Sequence, residues 1–219
     1  MTPQLQSALF YLLGGIGYTL GVTVVSLLVG FLIGMPLALM RVYGSRPLQS
    51  FAAGYSVVLR GLPSLVLLFI VYYVIARAVN LPPFLTGCVA LGVCSSAYQS
   101  EIFRGALQGI SPGQMMAARA LGMTRTQAIL HVIMPQALRN AIAGWANEAA
   151  VVVKDSSLVY AVGLPELLRR STQVAARLYA PLLILSITAL IYLALTFSTN
   201  RLLDWVERKT RIPQMLEAR

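Results

Sequence analysis

Between Met1 and Arg41 the chain carries no charged residue. A straight helix of that length would run about 60 Å, twice the hydrocarbon core of a bilayer. It must be divided, and Gly14, Gly15 and Gly17 are placed to do so. This predicts a short lead-in at the surface and a first span near 18–40. The next apolar stretch, 48–76, is interrupted by Arg60-Gly61-Leu62-Pro63. Pro63 disfavours helical geometry at Leu62, so the pattern predicts a break there, with an approach helix before it and a second span at 63–76. Asn80-Leu81-Pro82-Pro83 reads as a turn. A third span follows at 84–102, a fourth begins near Leu138, and a fifth at 181–197 precedes a charged tail.

Composition sharpens this pattern. Hydrophobic residues make up 58% of the 219 and charged ones 11%, against about a quarter charged in soluble domains. Disorder is excluded, because disordered chains are poor in apolar residues. The expected fold is an all-α polytopic membrane protein of five transmembrane helices, one domain over 1–219. The start, Met1-Thr2-Pro3-Gln4, has no basic region of the kind that opens a cleavable signal, so the first apolar segment is expected to be retained.

The net charge is +10. No basic stripe is interleaved with aromatics as in a nucleic-acid surface, whereas cytoplasmic loops of membrane proteins collect Arg and Lys. With the N-terminus outside, the inner set is Arg41, Arg46, Arg60, Arg104, Arg119, Arg125, Arg139, Arg201, Arg208, Lys209, Arg211 and Arg219. The remainder is Arg77, Lys154, Arg169, Arg170 and Arg177. That imbalance places the N-terminus outside and the C-terminus in the cytoplasm, although Arg169 and Arg170 weigh against it. Cys88 and Cys94 lie six helical residues, about 9 Å, apart, too far for a bridge, and are expected to be packing residues.

The long cytoplasmic connection 104–139 has structure of its own. Ser111-Pro112-Gly113-Gln114 matches a capping box with Pro at the first helical position. The helix it opens, 112–121, ends at Gly122, suited to a left-handed C-terminal residue. Thr124-Arg125-Thr126-Gln127 is a second capping box, opening a helix to about Ile133 ahead of Pro135. The two short helices meet at an elbow whose expected exposed side chains are Met115, Met116, Ala117, Ala118, Arg119, Met123 and Arg125. Such a hairpin could lie on anionic headgroups or act as a knob that docks into a cytoplasmic partner. Both readings stand at this point.

This connection resembles the cytoplasmic motif of permease subunits of binding-protein-dependent ABC importers: Glu-Ala-Ala, three residues, Gly, nine residues, Ile-x-Leu-Pro. Here the register falls on Met116-Ala117-Ala118, Gly122, Val132, Met134 and Pro135. Met116 replaces the motif's acidic residue, so a salt bridge from that position to an ATPase is not available. Arg60-Gly-Leu-Pro63, Ala97-Tyr-Gln-Ser-Glu101-Ile-Phe-Arg104-Gly105, Ala118-Arg-Ala-Leu-Gly122-Met123, Met134-Pro-Gln-Ala-Leu-Arg139 and Lys154-Asp-Ser-Ser-Leu-Val159 resemble the polar amino acid branch. The resemblance implies a type I importer permease in a bacterial inner membrane. It implies two cytoplasmic ATP-binding subunits docking at Met116, Ala117, Ala118, Arg119, Leu121, Gly122, Met123 and Pro135. It further implies a second permease, identical or related, an external solute-binding protein and a polar amino acid substrate.

Ionisable residues at membrane depth point to function. Glu101 ends the third span; Glu148 and Asp155 lie seven apart in the fourth, on one face and about 10 Å apart. Lys154 points away from Asp155 by about 100°. These groups could pair across helices, Lys154 with Glu101 for instance, or line a wet cavity for a zwitterion. The resemblance nominates Gln99, Glu101 and Asp155 as substrate contacts, with Asn147, Glu148, Lys154 and Ser156 beside them. Two carboxylates on one cavity, Glu101 with Asp155, would favour a substrate with an extra cation, whereas Lys154 facing the same cavity would cancel one of them and open it to neutral or acidic substrates. A cationic or neutral polar amino acid is expected. No Gly-Lys-Ser/Thr phosphate loop is present, so the chain needs no cofactor of its own and ATP must be bound by a partner. No nucleophile–base constellation marks an enzyme. The alternative is an ion-coupled or passive small-solute carrier.

Overall fold

The computed structural model describes residues 3–210, all of whose regular elements are helical. Met1, Thr2 and 211–219, with Arg211 and Arg219, lie outside the described residues. Ten helices follow in order: α1 Pro3–Leu13, α2 Ile16–Tyr43, α3 Arg46–Gly61, α4 Ser64–Val79, α5 Pro83–Gln108, α6 Pro112–Ala120, α7 Arg125–Ala128, α8 Met134–Asp155, α9 Leu167–Leu178 and α10 Pro181–Thr210.

The apolar N-terminal stretch divides at Gly14-Gly15, whereas Gly17 lies inside α2. At Pro63 the chain turns sharply: Leu62 is extended (φ −93°, ψ 135°), and α3 and α4 meet at a bend of 104°. Gln6–Tyr43 and Pro181–Thr210 are each long and apolar enough to cross a membrane, and α3 with α4 qualifies as a bent pair. At 26 and 22 residues, α5 and α8 are also long enough, but their polar inward faces dilute their hydropathy.

α5 is the central element, and its closest neighbour is α2. Their seam is built from small residues. A Cβ on Gly92 would lie 2.6 Å from Val29 Cβ, and one on Gly30 would lie 2.3 Å from Gln99 Nε2. Small residues let helix backbones approach where lipid offers no hydrophobic drive. Val22, Leu68, Val71, Cys88, Leu91, Cys94 and Val159 form the core on one side of this seam. Met35, Phe103, Leu107, Ile133, Ala137 and Ala141 form it on the other. Both cysteines are buried and free.

Four sequence expectations need correction. Helix α7 does not stop before Pro135: it widens into a π-turn, Ile129–Ile133, and continues as α8. The Met134 N–H reaches back to Ile129 O, which re-phases the helix before the proline that cannot donate. The charged tail after Phe197 is helical, so α10 runs on to Thr210. The Ser111 box is half formed: Ser111 Oγ accepts from Gly113 N, but the Gln114 side chain faces Gln136 instead. Ala118 is buried rather than exposed, and Met115 packs against the Leu107–Ile133 cluster.

Helix α9 was not anticipated. Its N-cap is the fully buried Glu166, which accepts from Leu168 N, Arg169 N and Tyr192 Oη. The arginines that weighed against the orientation are tied down locally. Arg169 donates to Tyr160 O, and Arg170 donates to Pro165 O and Tyr11 O while lying over the Tyr11 ring.

Candidate functional site

Beside the α3–α4 bend, α4, α5 and α8 enclose a cavity of about 220 Å³. Its polar wall is Ser64 from α4, Ser95 and Tyr98 from α5, and Asn147, Glu148 and Asp155 from α8. Glu148 and Asp155 share a face because seven residues are close to two helical turns. Ser95 Oγ donates to Glu148 Oε1 at 2.6 Å, and Ser64 Oγ donates to Asp155 Oδ2 at 3.2 Å. Among the described residues neither carboxylate has a cation within ion-pair distance.

Of the residues nominated from sequence, the structure brings Asn147, Glu148 and Asp155 to this cavity. It does not bring Glu101. That carboxylate lies lower on α5, saturated by Arg41 (2.6 Å), Arg104 (2.6 Å), Ser56 (3.0 Å) and, at 3.8 Å, Arg60. The expected meeting of Glu101 with Asp155 is therefore replaced by an arginine cluster tying α2, α3 and α5. The Lys154–Glu101 pair is not formed either; Lys154 is exposed and does not line the cavity. Ser156 is buried, bonded to Val153 O, and Gln99 is buried behind the wall rather than on it. Ser64, Ser95 and Tyr98 were missed. They are neutral residues, and only the Pro63 bend marked Ser64 as unusual.

On the opposite side lies the elbow. Gly122 has φ +82°, with Met123 N bonded to Ala118 O and Gly122 N to Arg119 O, the paired bonds of a Schellman end. The Thr124 box is complete: Gln127 N donates to Thr124 Oγ1, and Thr124 N donates to Gln127 Oε1. Leu121 is 82% exposed and Met116 68%, so two large apolar side chains stand at the tip. Pro135 opens α8 behind them.

The fold thus joins a cavity lined by two carboxylates to an exposed apolar elbow through one helical path. The family of binding-protein-dependent transport system inner membrane components matches residues 26–212. The chain belongs to this family. It is 34% identical to the nopaline transport system permease protein NocM of Agrobacterium fabrum, over 90% of this chain and 86% of that one. It is 34% identical to the arginine transport system permease protein ArtQ of Bacillus subtilis, over 92% and 93%. A crystal structure of an amino acid ABC transporter with histidines superposes with a TM-score of 0.82 at 33% identity, covering 95% of this chain and 99% of that one. The MetNI methionine ABC transporter, at 21% identity and a TM-score of 0.83, shares the fold.

The permease is thus an inner-membrane component of a binding-protein-dependent system. Membership implies ATPase partners and a binding protein. The relatives are transport subunits rather than enzymes, and they give the ion-coupled or passive alternative no support.

Proposed function

We propose that this permease is the transmembrane subunit of an ATP-driven importer of a polar amino acid, and that the cavity at Glu148 and Asp155 receives the cationic part of the substrate. One observation carries the reading: two carboxylates line one wall at membrane depth with hydroxyl partners and no cation. Leaving charge unpaired there costs several kcal/mol, so an entering ammonium or guanidinium is favoured. Lys154 is exposed and does not line the cavity, and no cation forms an ion pair with either carboxylate among the described residues, which favours a cationic or neutral polar amino acid over an acidic one. The cavity is smaller than the ~300–1,000 Å³ of drug-sized sites, in keeping with a small solute.

The permease has five spans with its N-terminus outside, forms one domain, and pairs with a second permease, identical or related. Two cytoplasmic ATPase subunits bind the ATP and engage the Gly122 elbow. In proteoliposomes containing the full complex and its binding protein, Glu148→Gln and Asp155→Asn should each raise the KM for uptake about tenfold or more while the ATPase still co-purifies. Unchanged KM and specificity in both variants would remove the cavity from the pathway; disassembly in both would make the carboxylates structural.

A further inference from the structure

Behind the cavity wall runs a chain of hydrogen bonds whose direction is fixed by chemistry. The Trp145 indole N–H can only donate, and it donates to Gln99 Oε1 at 2.9 Å. That sets the Gln99 amide, whose Nε2 donates to Leu27 O and to Ser95 Oγ, both at 3.1 Å. Ser95 accepts there and gives its own proton to Glu148 Oε1 at 2.6 Å, a carboxylate oxygen being an acceptor. One path of donors thus runs from Trp145 on α8 through Gln99 and Ser95 on α5 back to Glu148 on α8, with a side branch from Gln99 to Leu27 O.

Its members are held rigidly. Gln99 is fully buried, and it fits against α2 because residue 30 is glycine. Trp145 borders a second, wholly apolar cavity of about 250 Å³, lined by Phe31, Phe103, Leu138, Leu203 and Val206. Its N–H is the polar end of an otherwise apolar setting. Neither Gln99 nor Trp145 lines the cavity that holds Glu148.

We infer that Gln99 and Trp145 are positioning residues for substrate recognition, acting through Ser95 to hold Glu148 with one oxygen bonded to the wall and the other toward the cavity. This rests on the reading of that cavity as the substrate site. Without the chain, Glu148 would swing within the cavity, and a carboxylate that must be ordered on binding gives weaker recognition.

The test is a double-mutant cycle in the reconstituted full complex, measuring KM and maximal rate of uptake. Gln99→Met removes the amide at similar volume, and Trp145→Phe removes the indole donor; each should raise KM about tenfold while the maximal rate changes less than twofold. Ser95→Thr, which keeps the hydroxyl, should stay near the parent KM, whereas Ser95→Ala should match Gln99→Met. The deciding result is non-additivity: in a Glu148→Gln background the effect of Gln99→Met on KM should shrink severalfold. Full additivity, or unchanged KM in both Gln99→Met and Trp145→Phe, overturns the inference. An unchanged KM in both Glu148→Gln and Asp155→Asn overturns the underlying reading of the cavity, a separate outcome. Should Gln99→Met not assemble, Trp145→Phe carries the same cycle.

Discussion

At the scale of single residues, the elbow turns on Gly122. Its φ of +82° lies in the region that costs an L-residue roughly 1–2 kcal/mol, more for a β-branched one. Nothing lies within 4 Å of where its Cβ would stand, so a substitution there is penalised by conformation and not by crowding. Gly122→Val should abolish transport while leaving membrane insertion intact. Gly122→Asn, which tolerates the left-handed region, should keep most of it. Uptake at the parent rate in Gly122→Val would favour a hairpin lying on lipid. Gly122 could be read from sequence because capping chemistry is local. Glu101 could not: Arg41 and Arg60 lie 60 and 41 positions away, and only the packing of α2 and α3 on α5 shows that this carboxylate is already saturated. Gln99 was expected at the cavity, but it is buried behind the wall, and its partners Leu27 and Trp145 come from two other helices, which no spacing reveals.

At the scale of elements, apolar length and proline placed most helices, and the errors fell where two signals competed. Pro135 suggested an ending; the π-turn before it absorbs the missing donor, so one helical path runs from Thr124 to Asp155. Helix α9 escaped notice because its three arginines obscured an amphipathic pattern whose buried face is Leu167, Ser171, Val174 and Ala175. The α2–α5 seam is the element-level feature most exposed to test. At Gly92 a Cβ would meet Val29 Cβ at 2.6 Å and Ser26 O at 3.2 Å, contacts that two packed helices cannot relieve without separating. Overpacking of this kind costs typically 1–3 kcal/mol. Gly92→Val should therefore lower the thermal midpoint of the detergent-solubilised complex by several degrees, read by loss of monodisperse protein on heating. Gly54→Ala, on α3 where no atom lies within 4 Å, should leave the midpoint in place.

At the scale of the whole molecule, the proposed function requires the cavity to be joined to ATP hydrolysis on a partner subunit. The route is direct: the α7–α8 path starts at the elbow and carries Glu148 and Asp155 about 35 and 45 Å further along the helix. A rigid displacement of the elbow is thus delivered to the cavity wall, provided that the ATPase grips the elbow. The grip proposed above would be apolar in character. Met116 stands where the family motif has an acid, and Leu121 and Met116 are the prominent side chains of the tip. The nearby cations are already engaged, Arg119 on Met123 O and Arg125 over the Tyr43 ring at 5.7 Å. Salt screens exposed charge pairs and leaves apolar contact intact. Co-purification of the ATPase should then persist in about 0.5 M salt, where the screening length is a few ångströms. Leu121→Asp, which buries a charge in the contact, should remove the ATPase at low salt while the permease itself still inserts. Dissociation of the parent complex at moderate salt, with Leu121→Asp remaining bound, would show instead that the grip is electrostatic and lies outside the elbow tip.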